Sequence, residues 1–139
     1  MVDIKGILVN DTTLEGRTAL MIAATRGNSF AITALLTVDG IEVNNTVPNR
    51  TTPLMEAARL GHTNAVTALL ADTRVLINQV RQSDGYTALM LAIQSNHLLT
   101  ANCLLKRKDI DISTVALNGQ TAISLASVCD NKTIICRFK

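Results

Sequence analysis

The sequence predicts an all-α solenoid, a single domain of residues 1–139 in which short helix pairs stack side by side. The first observation is composition: 47% of the residues are hydrophobic but only 2% are aromatic, with no Trp. The core must therefore consist of Ala, Leu, Ile and Val, which favours helices packed closely together. The second observation is an internal repeat of 34 or 35 residues. A unit of that size cannot bury its apolar face alone and must stack on a neighbour.

Two independent markers define the repeat. Four similar segments share a threonine at spacings of 34, 35 and 34 residues: Thr18, Thr52, Thr87 and Thr121. A second marker is the pair Val9-Asn10, Val43-Asn44, Ile77-Asn78 and Ile112-Ser113, spaced by 34, 34 and 35 residues. The repeats cover approximately residues 11–44, 45–78, 79–113 and 114–139, the last of them truncated. The mismatch between the markers locates one inserted residue between Asn78 and Thr87.

Repeat 2 carries the most recognisable motif: Thr52-Pro53-Leu54, Ala57-Ala58, Gly61-His62 and Leu69-Leu70. This pattern resembles the ankyrin repeat family, and the resemblance covers nearly the whole chain. It implies helix-turn-helix units with short β-hairpin fingers. The family has His after Thr-Pro-Leu, whereas this sequence has Met21, Met55, Met90 and Ser124 at that place. Apolar contacts of the methionines should therefore replace the family's Thr–His hydrogen bonds.

The first helix of each repeat has start and stop signals. The repeated threonines precede short apolar runs, as helix N-caps do, and Pro53 suits the first helical position. The first helices should be about eight residues long, as in residues 53–60. Gly27 and Gly61 suit the left-handed residue that closes such a helix, and Asn96 and Asp130 take that place in repeats 3 and 4. Second helices follow, with the pairs Leu35-Leu36, Leu69-Leu70 and Leu104-Leu105.

The fingers are residues 10–17, 44–51, 78–86 and 113–120, with turn signals at Asp84-Gly85 and Asn118-Gly119. Both ends of the sequence look cut. Residues 7–10 read like the tail of a preceding unit, and the last helix, residues 132–139, stops early. We expect a piece of a longer protein, with a small protein that has degenerate caps as the alternative.

Composition excludes several function classes. A net charge of +2 is too small to indicate nucleic-acid binding, and no apolar run is long enough to cross a membrane. Three cysteines without C-x-x-C spacing favour free thiols and a cytoplasmic location. Among them, Cys103 should be the most buried and Cys129 the most reactive, with Cys136 on a different helix.

Catalytic chemistry finds little support, so no catalytic residue, cofactor or metal is predicted. His62 and His97 share one repeat position, where capping and packing explain them. Asp109 and Asp111 lie in a linker after a second helix, and Lys106-Arg107-Lys108 interacts favourably with a helix dipole.

The resemblance implies a non-catalytic scaffold that binds a protein or peptide on its concave face, formed by the fingers and first helices. It maps the partner-binding positions onto Leu14, Arg17, Arg26, Pro48, Arg50, Arg59, Leu60, Arg81, Tyr86, Gln94, Leu117 and Val128. Five of the eight arginines fall on this face, so the partner should have acidic groups facing repeats 1 and 2. Tyr86, the single Tyr, should be an exposed contact residue.

The alternative function is a recruitment or regulatory module of a larger enzyme or secreted effector whose catalytic part lies outside this chain. In that case the host cytosol becomes a possible location. The uncapped ends predict a monomer or weak self-association.

Overall fold

Seven short helices make up the secondary structure of the described part of the chain. The computed structural model describes residues 12–13, 16–46 and 51–128. The helices are α1 (Ala19–Arg26), α2 (Ser29–Leu36), α3 (Pro53–Leu60), α4 (Thr63–Leu70), α5 (Ala88–Gln94), α6 (Leu98–Leu105) and α7 (Ala122–Val128). No strand occurs within these residues, so the described fingers are hydrogen-bonded turns. The predicted helix over residues 132–139 lies outside them.

The repeated threonines begin the first helices, as predicted. Each hydroxyl accepts a hydrogen bond from the backbone N–H three residues later, at 3.2–3.3 Å. The pairs are Thr18–Met21, Thr52–Met55, Thr87–Met90 and Thr121–Ser124. In the last pair the Ser124 hydroxyl also accepts from the Thr121 amide at 2.7 Å, a reciprocal cap that the methionines cannot make.

The ends of the first helices follow the sequence signals. Gly27 and Gly61 close α1 and α3 in the left-handed conformation, with φ of 70° and 76°. Asn96 stands in the corresponding place after α5 and has φ of 63°. Asparagine is one of the few residues that adopt this conformation at modest cost, so the substitution keeps the turn.

A histidine from the next repeat packs on each of these glycines. A Cβ atom at Gly27 would lie 2.6 Å from Nδ1 of His62, and one at Gly61 would clash with the ring of His97. Nε2 of His62 donates to the Thr25 carbonyl at 2.9 Å. Neither histidine makes a side-chain capping hydrogen bond. The packing role is therefore confirmed. His62 caps a carbonyl in the last turn of α1, in the preceding repeat, and not the start of its own helix.

The helices form two parallel rows. The first helices contact one another in the order α1, α3, α5, α7, and the second helices in the order α2, α4, α6. Between the rows lies a core of small and aliphatic side chains, including the alanines that were expected to allow close approach: Ala23, Ala57, Ala92 and Ala126. Met21, Met55 and Met90 are fully buried in this stack, which confirms the apolar contacts expected of them.

The segments after the second helices form what we call the linker side. Asn44 donates to the Arg74 carbonyl and accepts from the Leu76 amide, both at 2.9 Å. Asn78 makes the equivalent pair of bonds to Asp109 and Asp111, both at 2.7 Å. The second sequence marker therefore exists because its asparagine ties the backbone of one repeat to the next.

Two linker arginines add a second tie on the same side. Arg74 donates to the Leu36 carbonyl at 3.1 Å, and Arg107 donates to the Leu70 carbonyl at 2.8 Å. Leu36 and Leu70 are the last residues of α2 and α4, where the backbone carbonyls have no donor within the helix. The favourable interaction predicted between Arg107 and a helix end is therefore made with α4, the second helix of the preceding repeat.

In fingers 1, 3 and 4 one backbone hydrogen bond spans the whole turn, and a second runs from a glycine N–H within it. Thr13 N donates to Arg17 O at 2.9 Å, and Ala116 N donates to Gln120 O at 2.8 Å. In repeat 3 the bond runs from Arg81 N to Tyr86 O at 2.8 Å and encloses one residue more. The inserted residue of repeat 3 therefore lies in the turn between Arg81 and Tyr86.

Candidate protein-binding face

The predicted binding face consists of the fingers and the last turns of the first helices. Among the predicted residues, Arg26, Gln94, Leu117 and Val128 are exposed. Half-buried ones are Arg17, Arg59, Leu60 and Arg81. Leu14, Pro48 and Arg50 lie outside the described residues. The end of the first helix is the most informative position, because it holds Thr25, Arg59, Gln94 and Val128 in the four repeats.

A buried carboxylate organises the arginines of repeats 1 and 2. Glu56 lies in the first turn of α3 and is only 2% exposed. Arg59 grips it from one turn later, with Nη2 at 3.1 Å from Oε2 and Nε at 3.4 Å from Oε1. Arg17 reaches across from repeat 1, with Nη2 at 3.9 Å from Oε2. Burying this carboxylate is tolerated because two guanidinium groups face it.

The hydroxyl of Thr25 positions Arg17 further. It accepts a hydrogen bond from Arg17 Nη2 and donates to the Met21 carbonyl at 2.8 Å. The finger residue is thus held against the last turn of α1. Its guanidinium cannot swing freely into solvent.

Arg81 has a carboxylate partner of its own within finger 3. Its Nε and Nη2 donate to the two oxygens of Asp84 at 3.0 and 2.6 Å. This hydrogen-bonded pairing lowers the pKa of Asp84 and raises the pKa of Arg81. Asp84 also accepts from the Tyr86 amide at 3.1 Å, so the ion pair braces the longer turn. Arg17, Arg59 and Arg81 are therefore all paired within the chain.

Tyr86 corrects the sequence-based expectation of an exposed contact residue. Its side chain is only 4% exposed. The next finger covers it: the Leu117 amide donates to the Asp84 carbonyl at 2.9 Å, and the Asn118 side-chain amide donates to the Tyr86 hydroxyl at 3.2 Å. Tyr86 belongs to the interface between repeats 3 and 4, and removing its ring should cost stability.

A pocket opens at the repeat 1 end of this face. It has a volume of about 340 Å³ and is lined by Thr13, Arg17, Ile22, Thr25 and Arg26. Two of the lining side chains are guanidinium groups, and Arg17 is the one held by Glu56 and Thr25. Ile22 provides an apolar wall.

The repeat organisation is matched by a known family model. The model of ankyrin repeats, in three copies, matches residues 3–78 and 40–116. The chain belongs to the ankyrin repeat family. A search of curated proteins found no match. Ankyrin repeats are generally protein–protein interaction modules and are generally non-catalytic.

Sequence reasoning missed the role of Glu56 in this ankyrin repeat domain. The equivalent positions hold Ile22, Leu91 and Leu125, of which the two leucines are buried. A carboxylate at an otherwise apolar position, three residues before an arginine, was the signal that could have revealed the pair.

Other candidate chemistry lies outside the predicted binding face. Asp109 pairs with Arg107 at 3.4 Å, and hydrogen bonds from Ser113 lower the pKa of Asp111. Within the described ranges, no three His, Cys, Asp or Glu side chains form a group that could hold a metal ion. None of the helices described is long and apolar enough to cross a membrane. Cys103 is a half-buried free thiol, and Cys129 and Cys136 lie outside the described residues.

Proposed function

We propose that this ankyrin repeat domain is a non-catalytic scaffold that binds a protein or peptide on its concave face, the fingers and first helices. The observation that carries the proposal is the variation at the ends of the first helices. Thr25, Arg59, Gln94 and Val128 occupy one repeat position and differ in every repeat. The capping threonines and the buried alanines of the same helices are identical from repeat to repeat. Variable side chains on a uniform scaffold are typical of a recognition surface.

The proposed partner presents acidic groups towards repeats 1 and 2 and uncharged groups towards repeats 3 and 4. Support for the first half comes from Arg26, which is exposed, and from the partly exposed Arg17 and Arg59. Support for the second half comes from Leu117 and Val128, which are 76% and 74% exposed. The pairing of Arg81 with Asp84 leaves that half nearly neutral. The proposed location is the cytoplasm, because the three cysteines lack C-x-x-C spacing, which favours free thiols.

A pull-down with the full-length natural protein tests the proposal. The face variant combines Gln94→Arg with Val128→Asp, both at exposed sites. Its matched control combines Asn64→Arg with Thr67→Asp, both exposed on α4. We expect a partner that is recovered with the wild type and the control and lost with the face variant. Loss with the control alone would place binding on the second helices and contradict the proposal.

A further inference from the structure

We propose that the pocket between Arg17 and Arg26 receives a side-chain carboxylate of the bound protein. This inference rests on the proposed function and names the chemistry of one subsite. The pocket opens on the finger face, and its volume of about 340 Å³ is ample for a glutamate side chain.

Arg17 is prepared for such a ligand by its own contacts. Glu56 and Thr25 hold its Nη2 from two sides. A long, flexible side chain normally loses conformational freedom when it binds, and this loss weakens binding. Arg17 has already lost much of that freedom in the folded chain, so its positive charge is presented to the pocket in a defined orientation.

Arg26 supplies the second positive charge. It lies at the end of α1, is exposed, and lines the same pocket as Arg17. Within the described part of the chain, Arg17 and Arg59 pair with Glu56, whereas Arg26 has no ion-pair partner there. Arg26 therefore brings a further positive charge to the pocket, which favours an anion of the partner.

The apolar wall of the pocket favours a carboxylate on an aliphatic side chain over other anions. Ile22 lines the pocket beside the two arginines. The methylene groups of a glutamate can contact Ile22 while the carboxylate reaches the guanidinium groups. Inorganic phosphate lacks the apolar stem and would gain nothing from this wall.

Titration followed by nuclear magnetic resonance tests the pocket with small probes. We expect N-acetyl-glutamate amide to shift the signals of Arg17, Thr25 and Arg26 saturably, and N-acetyl-glutamine amide to leave them unchanged. Arg26→Gln should weaken the glutamate probe about tenfold, because one charge-assisted contact is lost. Lys108→Gln, which removes one exposed positive charge on the linker side, should leave the affinity unchanged.

Three results would overturn the proposal. Equal shifts with the glutamine probe would show that charge is not recognised. Tighter binding of inorganic phosphate would indicate a general anion site. Binding that emerges only in Glu15→Gln protein would mean that the chain's own finger carboxylate competes for the pocket.

A peptide display selection separates this subsite from the proposed function. We expect selected peptides to contain glutamate or aspartate and to lose affinity with Arg26→Gln. Peptides that need Gln94 and Val128 but bind Arg26→Gln normally would overturn the pocket and keep the concave-face function. Peptides insensitive to all three positions would contradict the proposed function itself.

Discussion

The linker side and the predicted binding face hold adjacent repeats together in different ways. On the linker side the same bonds occur twice: Asn44 and Asn78 tie neighbouring backbones, and Arg74 and Arg107 reach equivalent helix ends. On the binding face the buried Glu56 and its arginines have no equivalent in the other described repeats, where that position is apolar.

This difference distinguishes the contacts that stabilise the stack from those that depend on the side chains of one repeat. A bond that recurs at successive junctions depends only on features that those repeats share, so it stabilises the stack whatever the fingers carry. A bond made once depends on side chains of particular repeats, and it can change without disturbing the stack. The binding face can therefore vary while the linker side keeps the repeats together.

The largest expected effect lies in the core beneath both surfaces. Leu69 and Leu104 are fully buried, whereas Leu35 at the same repeat position is half-buried. Leu69→Ala should lower the free energy of unfolding by about 2–5 kcal/mol, Leu104→Ala by a similar amount, and Leu35→Ala by less. Urea denaturation of the three variants measures this order. A greater loss for Leu35→Ala would show that repeat 1, not the interior repeats, is the centre of stability.

The next effect sharpens the account of the binding face. Arg59→Ala leaves Glu56 buried with only the distant Arg17, and should cost about 1–3 kcal/mol because a buried charge loses its closest partner. Glu56→Leu restores the residue type of Leu91 and Leu125 and should be close to neutral. The double variant Arg59→Ala with Glu56→Leu should therefore recover most of the loss. Additive losses in this cycle would mean that the two side chains act independently.

A smaller and uniform effect is expected on the linker side. Asn44→Ala and Asn78→Ala each remove one donated and one accepted hydrogen bond at partly buried positions. Each should lower the free energy of unfolding by about 1 kcal/mol. The sharper test is whether the two losses in free energy of unfolding are equal, because the asparagine makes the same pair of hydrogen bonds at both interfaces between repeats. A strongly unequal pair would break the distinction between a uniform scaffold and a variable face.

The smallest effect is a pH dependence in finger 3. Arg81 lowers the pKa of Asp84 below its ordinary value in the folded chain. The ion pair therefore stabilises the fold above the unfolded-state pKa, near 3.9, and this contribution is lost as the pH falls through the lower folded-state value. Asp84→Asn should be less stable than the wild type at pH 7, with the gap closing in acid. A gap that widens in acid would contradict the pairing.

The start and end of the first helices could be predicted because their signals are local. Thr52 caps Met55 three residues away, Pro53 begins α3, and Gly61 ends it. Each signal involves residues close together in the sequence, so the spacing of residue types is enough to predict it. The turn at Asn96 could be predicted for the same reason.

The burial of Tyr86 could not be read in this way. The residues that cover it, Leu117 and Asn118, come from the next finger, 31 and 32 residues further along. Sequence spacing shows that finger 3 is one residue longer, but it does not show which side chains of finger 4 contact it. The arginines were likewise counted as available charge because the reach of Arg17 to Glu56 crosses a repeat boundary.

The contacts of His62 and His97 with glycines of the preceding repeats bear on how such arrays grow. Each touching pair joins two neighbouring repeats, and the close approach leaves no room for a Cβ atom on the glycine. A repeat that brings a histidine to this position therefore requires glycine at the end of the first helix before it. After repeat 3 the sequence has Asn96 and Asn131 at the two positions, so this pair of residue types does not recur there.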